Sequence, residues 1–259
     1  MTSGLNALDA QAVETGPTPV RGSMAIPDEQ LVSLTKPRSF EAEQYRTLCQ
    51  IIESRYSSRG RQVLAVSSAG IGDGKTMTTL NLAGALAHSR GSRVLLIDAD
   101  LRCPAVSSQL RLGGPDRLGL AGAIRGEKVS LSAALHRLPE WNLSVLTAGR
   151  VLESPYELLR SDVFTLLIEE ARREFDCVLI DCPPLLAVPD CRVIERVVDG
   201  FLLVVSADST PRRLLGEALN VLPPEKVLGI VFNRDARPLS GYYGYYGRSY
   251  GRQNSPVKT

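Results

Sequence analysis

Residues 69–76 read A-G-I-G-D-G-K-T, and this stretch decides the fold. It follows directly on the apolar run 63–67 and precedes a helical pattern in which Leu80, Leu82 and Leu86 recur. A glycine-rich loop that ends in G-K-T between a strand and a helix is the phosphate-binding P-loop, or Walker A motif. The context therefore predicts a nucleotide-binding site at the start of the helix.

The residue types in this loop match the chemistry of a polyphosphate site. Its glycines let the backbone turn so that successive N–H groups point at phosphate oxygens, and the following helix adds the positive end of its dipole. We expect Lys75, on a solvent-facing loop, to contact only the β- and γ-phosphates of ATP, and the Thr76 hydroxyl to ligate Mg²⁺. The predicted nucleotide-binding residues here are Gly70, Gly72, Asp73, Gly74, Lys75, Thr76 and Met77.

The rest of the chain alternates short apolar runs with longer helical patterns. Runs that are apolar almost throughout are typical of parallel strands covered by helices on both faces of a sheet. We therefore predict an α/β fold with a doubly wound, mostly parallel sheet that binds ligands at the carboxyl ends of its strands. The predicted strands are 63–67, 93–97, 143–146, 177–180, 201–205 and 227–232. The predicted helices are 40–55, 75–88, 118–124, 156–175, 191–197 and 212–221.

Three aspartates follow two of these strands. Asp98 and Asp100 come after 93–97, and Asp181 follows 177–180 in V-L-I-D-C-P-P, which has the form of a Walker B motif. Alternate residues of an extended chain point the same way, so Asp98 and Asp100 project together. Beside a P-loop, these mutually repelling acids predict a Mg²⁺-ATP site. Asp98 and Asp181 would hold the metal, and Asp100 would accept the proton of the attacking hydroxyl.

One arginine and the two histidines are the remaining polar candidates for a role in the site. Arg102 follows the two acids of the second strand, and it could either neutralise phosphate charge or pair with an acid. His88 and His136 fall in stretches that we interpret as helical and distant from the motifs, so we assign them no catalytic role. The sequence thus confines the predicted chemistry to the P-loop and the three aspartates.

Composition limits the class of protein. The chain has 259 residues, 44% hydrophobic and 22% charged, with a net charge of +2, which suits one globular α/β domain. Nearly balanced charge gives no sign of a nucleic-acid partner. Five cysteines without a C-x-x-C pair indicate neither a disulfide framework nor a zinc site, and we expect a cytoplasmic location.

The ends of the chain differ in composition from its middle. Residues 1–37 are rich in Gly, Pro, Ser and Thr, and we expect a mostly disordered arm. Residues 38–234 form the predicted domain, beginning with a helix at 40–55 that Ser39 caps and that places Tyr45, Leu48, Ile51 and Ile52 on one face. Residues 235–259 lack the apolar residues of a core, so we expect a flexible tail.

Tyrosine is concentrated in that tail. Five of the eight tyrosines lie within residues 242–250, far more than even scattering would place there. The interleaved glycines and the nearness of the terminus leave these side chains no core to pack into. Either the tail is a low-complexity segment without chemistry, or its tyrosines are substrates. The predicted phosphate acceptors are Tyr242, Tyr243, Tyr245, Tyr246 and Tyr250.

Together these motifs resemble those of a known family. The P-loop, L-L-I-D-A-D-L-R-C-P (95–104), V-L-I-D-C-P-P (178–184) and the tyrosine cluster are similar to the Walker A, Walker A′, Walker B and C-terminal tail of BY-kinases. These are bacterial tyrosine autokinases of capsule and exopolysaccharide synthesis, related in fold to the ParA/MinD P-loop ATPases. The resemblance covers about residues 39–250, and Walker A′ combined with the tail is its most specific part.

The resemblance implies several further expectations. Lys75, Thr76, Asp98, Asp100 and Asp181 would carry the chemistry with ATP and Mg²⁺, and Asn233 would contact adenine. The partners would be a chain-length-determinant activator at the inner membrane, a tyrosine phosphatase and further copies of the chain.

The family's helix motif E-x-x-R-x-x-R, which supports oligomerisation, corresponds to Glu43, Arg46 and Cys49. Because cysteine stands in place of the second arginine, Cys49→Arg is expected to favour assembly.

Two alternative functions share parts of this pattern. A positioning ATPase of the ParA/MinD type has the same fold and motifs, but that group carries lysine at the position of Gly70 and often ends in a basic amphipathic helix. A non-catalytic adaptor, in which nucleotide only locks a surface that binds a polysaccharide-export complex, would not need the complete set of acids. Label transferred from ATP to tyrosine distinguishes the kinase from both.

Overall fold

A computed structural model describes residues 28–56, 60–88, 92–112, 118–126, 130–151 and 154–235. The strands are β1 Gln62–Ser68, β2 Val94–Asp98, β3 His136–Leu138, β4 Leu143–Leu146, β5 Cys177–Asp181, β6 Gly200–Ser206 and β7 Val227–Asn233. The helices are α1 Val32–Thr35, α2 Phe40–Tyr56, α3 Lys75–His88, α4 Val106–Gln109, α5 Gly119–Ile124, α6 Leu131–Ala134, α7 Pro155–Arg160, α8 Asp162–Glu174, α9 Asp190–Ile194 and α10 Arg212–Leu219.

The strands form one seven-stranded sheet in the order β3-β4-β2-β5-β1-β6-β7. Every pairing is parallel except that of β3 with β4. The prediction of a mostly parallel α/β sheet is therefore confirmed. Because β1, β2 and β5 are neighbours, the segments that follow these strands meet at one edge of the sheet.

The sheet separates two apolar layers. Successive residues of a strand point to opposite faces, so Val63 belongs to one layer and Leu64 to the other. The first layer packs α5 and α8 against the sheet and includes Leu120 and Phe164, both fully buried. The second contains α3, with Leu82 fully buried, and the inner face of α2. Both faces are covered, which is why the strand sequences are almost continuously apolar.

Two predicted helical stretches have a different structure. The predicted helix 156–175 is wrong as a single element, because the chain breaks at Ser161, an extended residue between α7 and α8. The Ser161 hydroxyl donates to Leu158 O and accepts from Phe164 N, so it ends one helix and caps the next. His136 lies in β3 rather than in a helix.

The N-terminal region is more ordered than its composition indicates. Residues 28–37, predicted as part of a disordered arm, include α1, whose Leu34 and the preceding Leu31 are buried against α2 and α3. Ser33 N also donates to the buried side-chain oxygen of Asn81 on α3 at 3.0 Å. The rest of the predicted arm, 1–27, and the tail from 236 onward lie outside the described residues.

The predicted cap of α2 is confirmed, but the prediction that Ile51 lies on its buried face is wrong. Ser39 Oγ accepts from Ala42 N at 3.1 Å, as expected for a capping serine. Ile51 is 52% exposed, whereas Cys49 is 3% exposed and packs in the second apolar layer. The buried face of α2 therefore includes the cysteine rather than Ile51, and burial raises the pKa of the Cys49 thiol.

Candidate active site

The P-loop connects β1 to α3 and approaches the end of β7 closely. Gly72 and Gly74 have φ of +85° and +90°, a backbone region that side chains other than glycine rarely adopt. A Cβ at Gly74 would lie 2.1 Å from Asn233 Nδ2, so this position also has no room for a side chain. The glycines therefore allow both the curvature of the loop and its contact with β7.

Lys75 forms an ion pair with Asp100. Its Nζ lies 2.8 Å from Asp100 Oδ2, and the two side chains are 15% and 3% exposed. Burial alone would lower the pKa of Lys75, but attraction to Asp181 and the hydrogen bond to Asp100 outweigh it and raise that pKa. The expectation that Lys75 contacts only phosphate on a solvent-facing loop is therefore wrong.

Thr76 and Thr79 orient the Walker B aspartate. Thr76 Oγ1 donates to Asp181 Oδ2 at 2.6 Å, and Thr79 Oγ1 lies 3.1 Å from Asp181 Oδ1. Thr79 stands one helical turn after Lys75, and its hydroxyl also contacts Lys75 O at 2.7 Å. Thr79 was not among the predicted site residues. Its position four residues after the P-loop lysine, on the same face of α3, could have indicated it.

Asp98 has an unsatisfied oxygen deep in the site. It lies beside Asp181 in the register of β2 and β5 and is fully buried. Its Oδ2 accepts from Val106 N at 3.1 Å, while its Oδ1 has no hydrogen-bond partner among the described residues. Burial, followed by repulsion from Asp181, raises the pKa of Asp98 to about 8. Burial also raises the pKa of Asp181, to about 6.

These features fit a magnesium ion that is bound together with a nucleotide. Within the described ranges, no three His, Cys, Asp or Glu side chains converge as a metal site by themselves. Mg²⁺ usually takes one or two carboxylates and completes its shell with phosphate and water oxygens, so such a cluster is not required. The unpartnered oxygen of Asp98 and the Thr76–Asp181 pair supply oxygen ligands of the right kind. The donor set therefore fits Mg²⁺.

Two further residues of the predicted nucleotide site contact each other. Asn233 Nδ2 donates to Asp73 O at 2.9 Å, and Asn233 Oδ1 accepts from Arg234 N at 3.0 Å. Asp73 itself is buried, with its carboxylate directed to Gly70 N and Thr210 Oγ1. Met77 is half-buried at the start of α3. The sequence analysis gave no role to Thr210.

Arg102, which follows β2, pairs with Asp190. Arg102 Nε lies 2.9 Å from Asp190 Oδ2, and a second nitrogen lies 3.0 Å from Asp190 Oδ1, so the two side chains form a bidentate pair. The sequence left open whether Arg102 neutralises phosphate charge or pairs with an acid, and the structure shows the pairing with an acid. Cys103 is exposed, and its N–H donates to Asp100 Oδ1 at 3.1 Å. The Cys103 N–H and Lys75 Nζ therefore hold different oxygens of the Asp100 carboxylate.

The fold and the three motifs define a P-loop ATPase of the Walker A/A′/B type, and comparison with known proteins narrows this class. Residues 61–207 match the family described as AAA domain. The chain is 36% identical over 219 residues to the tyrosine-protein kinase YwqD of Bacillus subtilis, covering 84% of this chain and 91% of that protein. The chain belongs to the bacterial tyrosine-protein kinases.

One further relative and one solved structure support this assignment. The succinoglycan biosynthesis transport protein ExoP of Rhizobium meliloti is 35% identical over 217 residues, which are 82% of this chain but only 27% of ExoP. The kinase domain of the Escherichia coli tyrosine kinase ETK superposes with a TM-score of 0.74 at 27% identity, covering 85% of this chain and 86% of that domain. The likeness therefore extends over nearly all of the described fold.

No helix in the described part of the chain is both long enough and apolar enough to cross a bilayer.

Proposed function

We propose that this kinase uses Mg²⁺-ATP to phosphorylate the tyrosines of its own C-terminal tail, passing the phosphoryl group to a neighbouring copy. The ion pair of Lys75 with Asp100 at 2.8 Å supports a catalytic ATP site, because a site that only bound nucleotide would need the lysine but not an acid beside it. ATPases of the ParA/MinD type share these motifs, so the pair does not identify the acceptor. The observation that carries transfer to tyrosine is the cluster of five tyrosines within residues 242–250, in a chain 36% identical to the tyrosine-protein kinase YwqD.

Each residue of the site has a distinct role in this reaction. Lys75 exchanges Asp100 for the phosphate oxygens of ATP, and the freed Asp100 accepts the proton of the tyrosine hydroxyl. Thr76, Asp98 and Asp181 would hold a magnesium ion, which would neutralise charge on the phosphates. Because phosphoryl transfer depends mainly on positioning and charge, the buried carboxylates and the fixed P-loop supply most of the effect.

Transfer to a neighbour is favoured by where the tail leaves the fold. The tail follows β7, whereas Asp100 follows β2, and β5, β1 and β6 lie between them. Four strand spacings of about 4.8 Å separate the two positions. A tail that served its own Asp100 would have to cross the P-loop at the end of β1, where the nucleotide binds. The site of a second copy imposes no such crossing.

The cellular role that we propose is control of exopolysaccharide or capsule polymerisation and export. The name of ExoP, a succinoglycan biosynthesis transport protein, supports this assignment, and the matched region is only 27% of that longer chain. We propose an activator of the chain-length-determinant type at the inner membrane as the partner of this kinase. A tyrosine phosphatase would reverse the modification, and the kinase would work in the cytoplasm, peripheral to the membrane.

Mixing a form without kinase activity and a form without acceptor tyrosines tests both the reaction and its direction. One form carries Lys75→Met and an intact tail, and the other carries phenylalanine at Tyr242, Tyr243, Tyr245, Tyr246 and Tyr250. With γ-labelled ATP and Mg²⁺, we expect no label on either form alone and tyrosine label on the Lys75→Met chain in the mixture. ATP hydrolysis by the wild type without tyrosine label would instead establish a ParA/MinD-like ATPase. Label only in a wild-type chain, and none in the mixture, would establish transfer within one chain.

A further inference from the structure

Asp73 is an acid inside the loop that binds an anion. It is 6% exposed, and both of its carboxylate oxygens are engaged. Oδ2 accepts from Gly70 N at 2.9 Å, and Oδ1 accepts from Thr210 Oγ1 at 2.7 Å. A carboxylate close to a triphosphate is electrostatically unfavourable, so a residue of this charge needs a compensating role.

The partners of Asp73 are anchored to the ends of two strands. Thr210 follows β6, and its Oγ1 accepts from Ser206 N at 2.8 Å while its own N–H donates to Ser206 O at 3.0 Å. Asn233 ends β7, and its amide donates to Asp73 O at 2.9 Å. Ala207 N donates to Asn233 O at 2.7 Å, which joins these two strand ends to each other. Asp73 is thus held from both its side chain and its backbone.

The P-loop needs such support because of its glycines. Gly70, Gly72 and Gly74 allow many backbone conformations, and ordering them when ATP binds would reduce its affinity. Hydrogen bonds can hold the loop in its binding conformation before ATP arrives. The backbone then loses its freedom during folding, and this loss no longer reduces the affinity for ATP. Burial gives such bonds more strength than they would have in water, particularly where one partner is charged.

We propose that Asp73, Thr210 and Asn233, here called the Asp73 clamp, are positioning residues that preorganise the P-loop for the phosphates of ATP. The inference rests on the nucleotide binding in the proposed function but not on transfer to tyrosine. It gives Asn233 a role through its amide contact with the loop, in addition to the expected contact with adenine. Lys75, Thr76 and the three catalytic-site aspartates lie outside the clamp, so it acts on nucleotide affinity rather than on the chemical step.

Thr210 offers a nearly isosteric test. Thr210→Val keeps the shape but removes the hydroxyl that bonds to Asp73, whereas Thr210→Ser keeps the hydroxyl. Thr147→Val is a matched control, because Thr147 is fully buried and its Oγ1 has no hydrogen-bond partner among the described residues. The measurements on the full chain are the Kd for a fluorescent ATP analogue, KM for ATP and kcat for tyrosine label, and the melting temperature without nucleotide.

We expect Thr210→Val to raise both Kd and KM about tenfold, equivalent to about 1.4 kcal/mol, with kcat at saturating ATP within about twofold of wild type. Thr210→Ser and Thr147→Val should bind as the wild type does. Asp73→Asn should also weaken binding, and adding Thr210→Val to it should cost less than the tenfold seen alone, since the two residues share one bond.

The outcomes separate this proposal from a purely structural role and from the kinase assignment. A Thr210→Val chain with a lower melting temperature but an unchanged Kd would overturn the clamp, as would an equal loss in Thr210→Ser. Because Kd reports nucleotide binding and not transfer, a wild type that binds ATP but never labels tyrosine would refute the kinase proposal alone. The tenfold difference in Kd would then still support the clamp.

Discussion

Lys75 Nζ and Asp100 Oδ2 lie 2.8 Å apart, and both side chains are largely buried. The Walker A lysine therefore pairs with the acid that we assign as the base. In the proposed reaction, Lys75 would leave this pair for the phosphates, and Asp100 would then be free to take a proton. The same contact means that Lys75 contributes to the stability of the apo protein as well as to phosphate binding.

Lys75→Met should abolish tyrosine label and also lower the free energy of unfolding by about 3 kcal/mol, because Asp100 would remain buried without its cation. Labelling assays and urea denaturation of the apo protein measure the two effects. Lys36→Met is the matched control, since Lys36 is 57% exposed and pairs with an exposed Glu29. Wild-type labelling by the Lys75→Met chain would contradict the assignment of this loop. An unchanged unfolding free energy would contradict the structural role of the pair.

Asp100→Asn should slow phosphoryl transfer by about 10²–10⁴ while changing the affinity for ATP much less, because the amide keeps the shape but cannot accept the proton. Its remaining oxygen can still accept from Cys103 N. The measurement compares kcat with the Kd for ATP in wild type and variant. Equal losses in rate and affinity would make Asp100 a metal ligand or a holder of Lys75 rather than a base.

The sequence determined the sheet and the principal site residues because each depends on local order along the chain. Apolar runs predicted six of the strands to within a residue or two at each end, and G-K-T predicted the start of α3 at Lys75. Short elements escaped prediction. The strand β3 has three residues and α1 has four, too few for a periodic pattern. The strand β3 is stabilised by its antiparallel pairing with β4, and α1 by packing against α2 and α3.

The contacts within the site were less predictable. Thr210 meets Asp73 across 137 positions of sequence, and Asn233 meets it across 160. Such pairs follow from strand order, which local patterns do not specify. The Lys75–Asp100 pair was missed for a related reason: three aspartates follow β2 and β5, and local patterns do not show which of them lies nearest to Lys75 Nζ.

The unfolding free energy of the apo protein should fall as the pH rises from 6 to 8. The raised pKa of Asp98, about 8, means that between pH 6 and 8 the folded state keeps a proton that the unfolded state has already released above its ordinary pKa of 3.8. The unfolding free energy therefore declines across this range by up to about 1.4 kcal/mol per pH unit through Asp98. Asp181, with a pKa of about 6, makes its contribution mainly below pH 6. The pKa of Lys75, also raised, affects only more alkaline solutions.

Urea denaturation at pH 6, 7 and 8 measures this slope. Asp98→Asn should flatten the curve, because an amide stays neutral at every pH. Mg²⁺ with ATP should flatten it as well, since a bound cation balances the carboxylates. A flat or rising curve for the wild-type apo protein would show that Asp98 is ionised throughout, and the assigned burial effect would be wrong.

Activity of the isolated chain should be low and should rise when the cytoplasmic segment of a chain-length-determinant partner is added. Our reason is the proposed partnership with a chain-length-determinant activator at the inner membrane. Labelling rates with and without the segment measure the effect. The same segment with its residues in scrambled order is the control. Full activity alone, unaltered by any such segment, would argue against an activating partner.

Phosphorylation of the tail should dissociate an assembly of unphosphorylated chains. Each phosphate adds about −1.5 to −2 charges, so several within 242–250 would make the tail strongly negative and repel it from a neighbour's aspartates. Glu43 and Arg46 form an ion pair on the exposed face of α2. From this position, each side chain could instead pair with an oppositely charged group on a second copy. Light scattering on Lys75→Met and on autophosphorylated wild type should give a larger mass for the former. Equal masses, with Lys75→Met oligomeric, would refute the switch.

The helix variants decide whether α2 takes part in that assembly. Glu43→Gln with Arg46→Gln should reduce the mass of the Lys75→Met chain, because both groups are exposed and their removal leaves the apolar face intact. Cys49→Arg, expected from the family motif to favour assembly, should instead destabilise the chain. Cys49 is 3% exposed in an apolar layer, and a buried guanidinium without a partner costs several kcal/mol. A Cys49→Arg chain that melts as the wild type does and forms larger assemblies would show that α2 rotates to expose this position when copies associate.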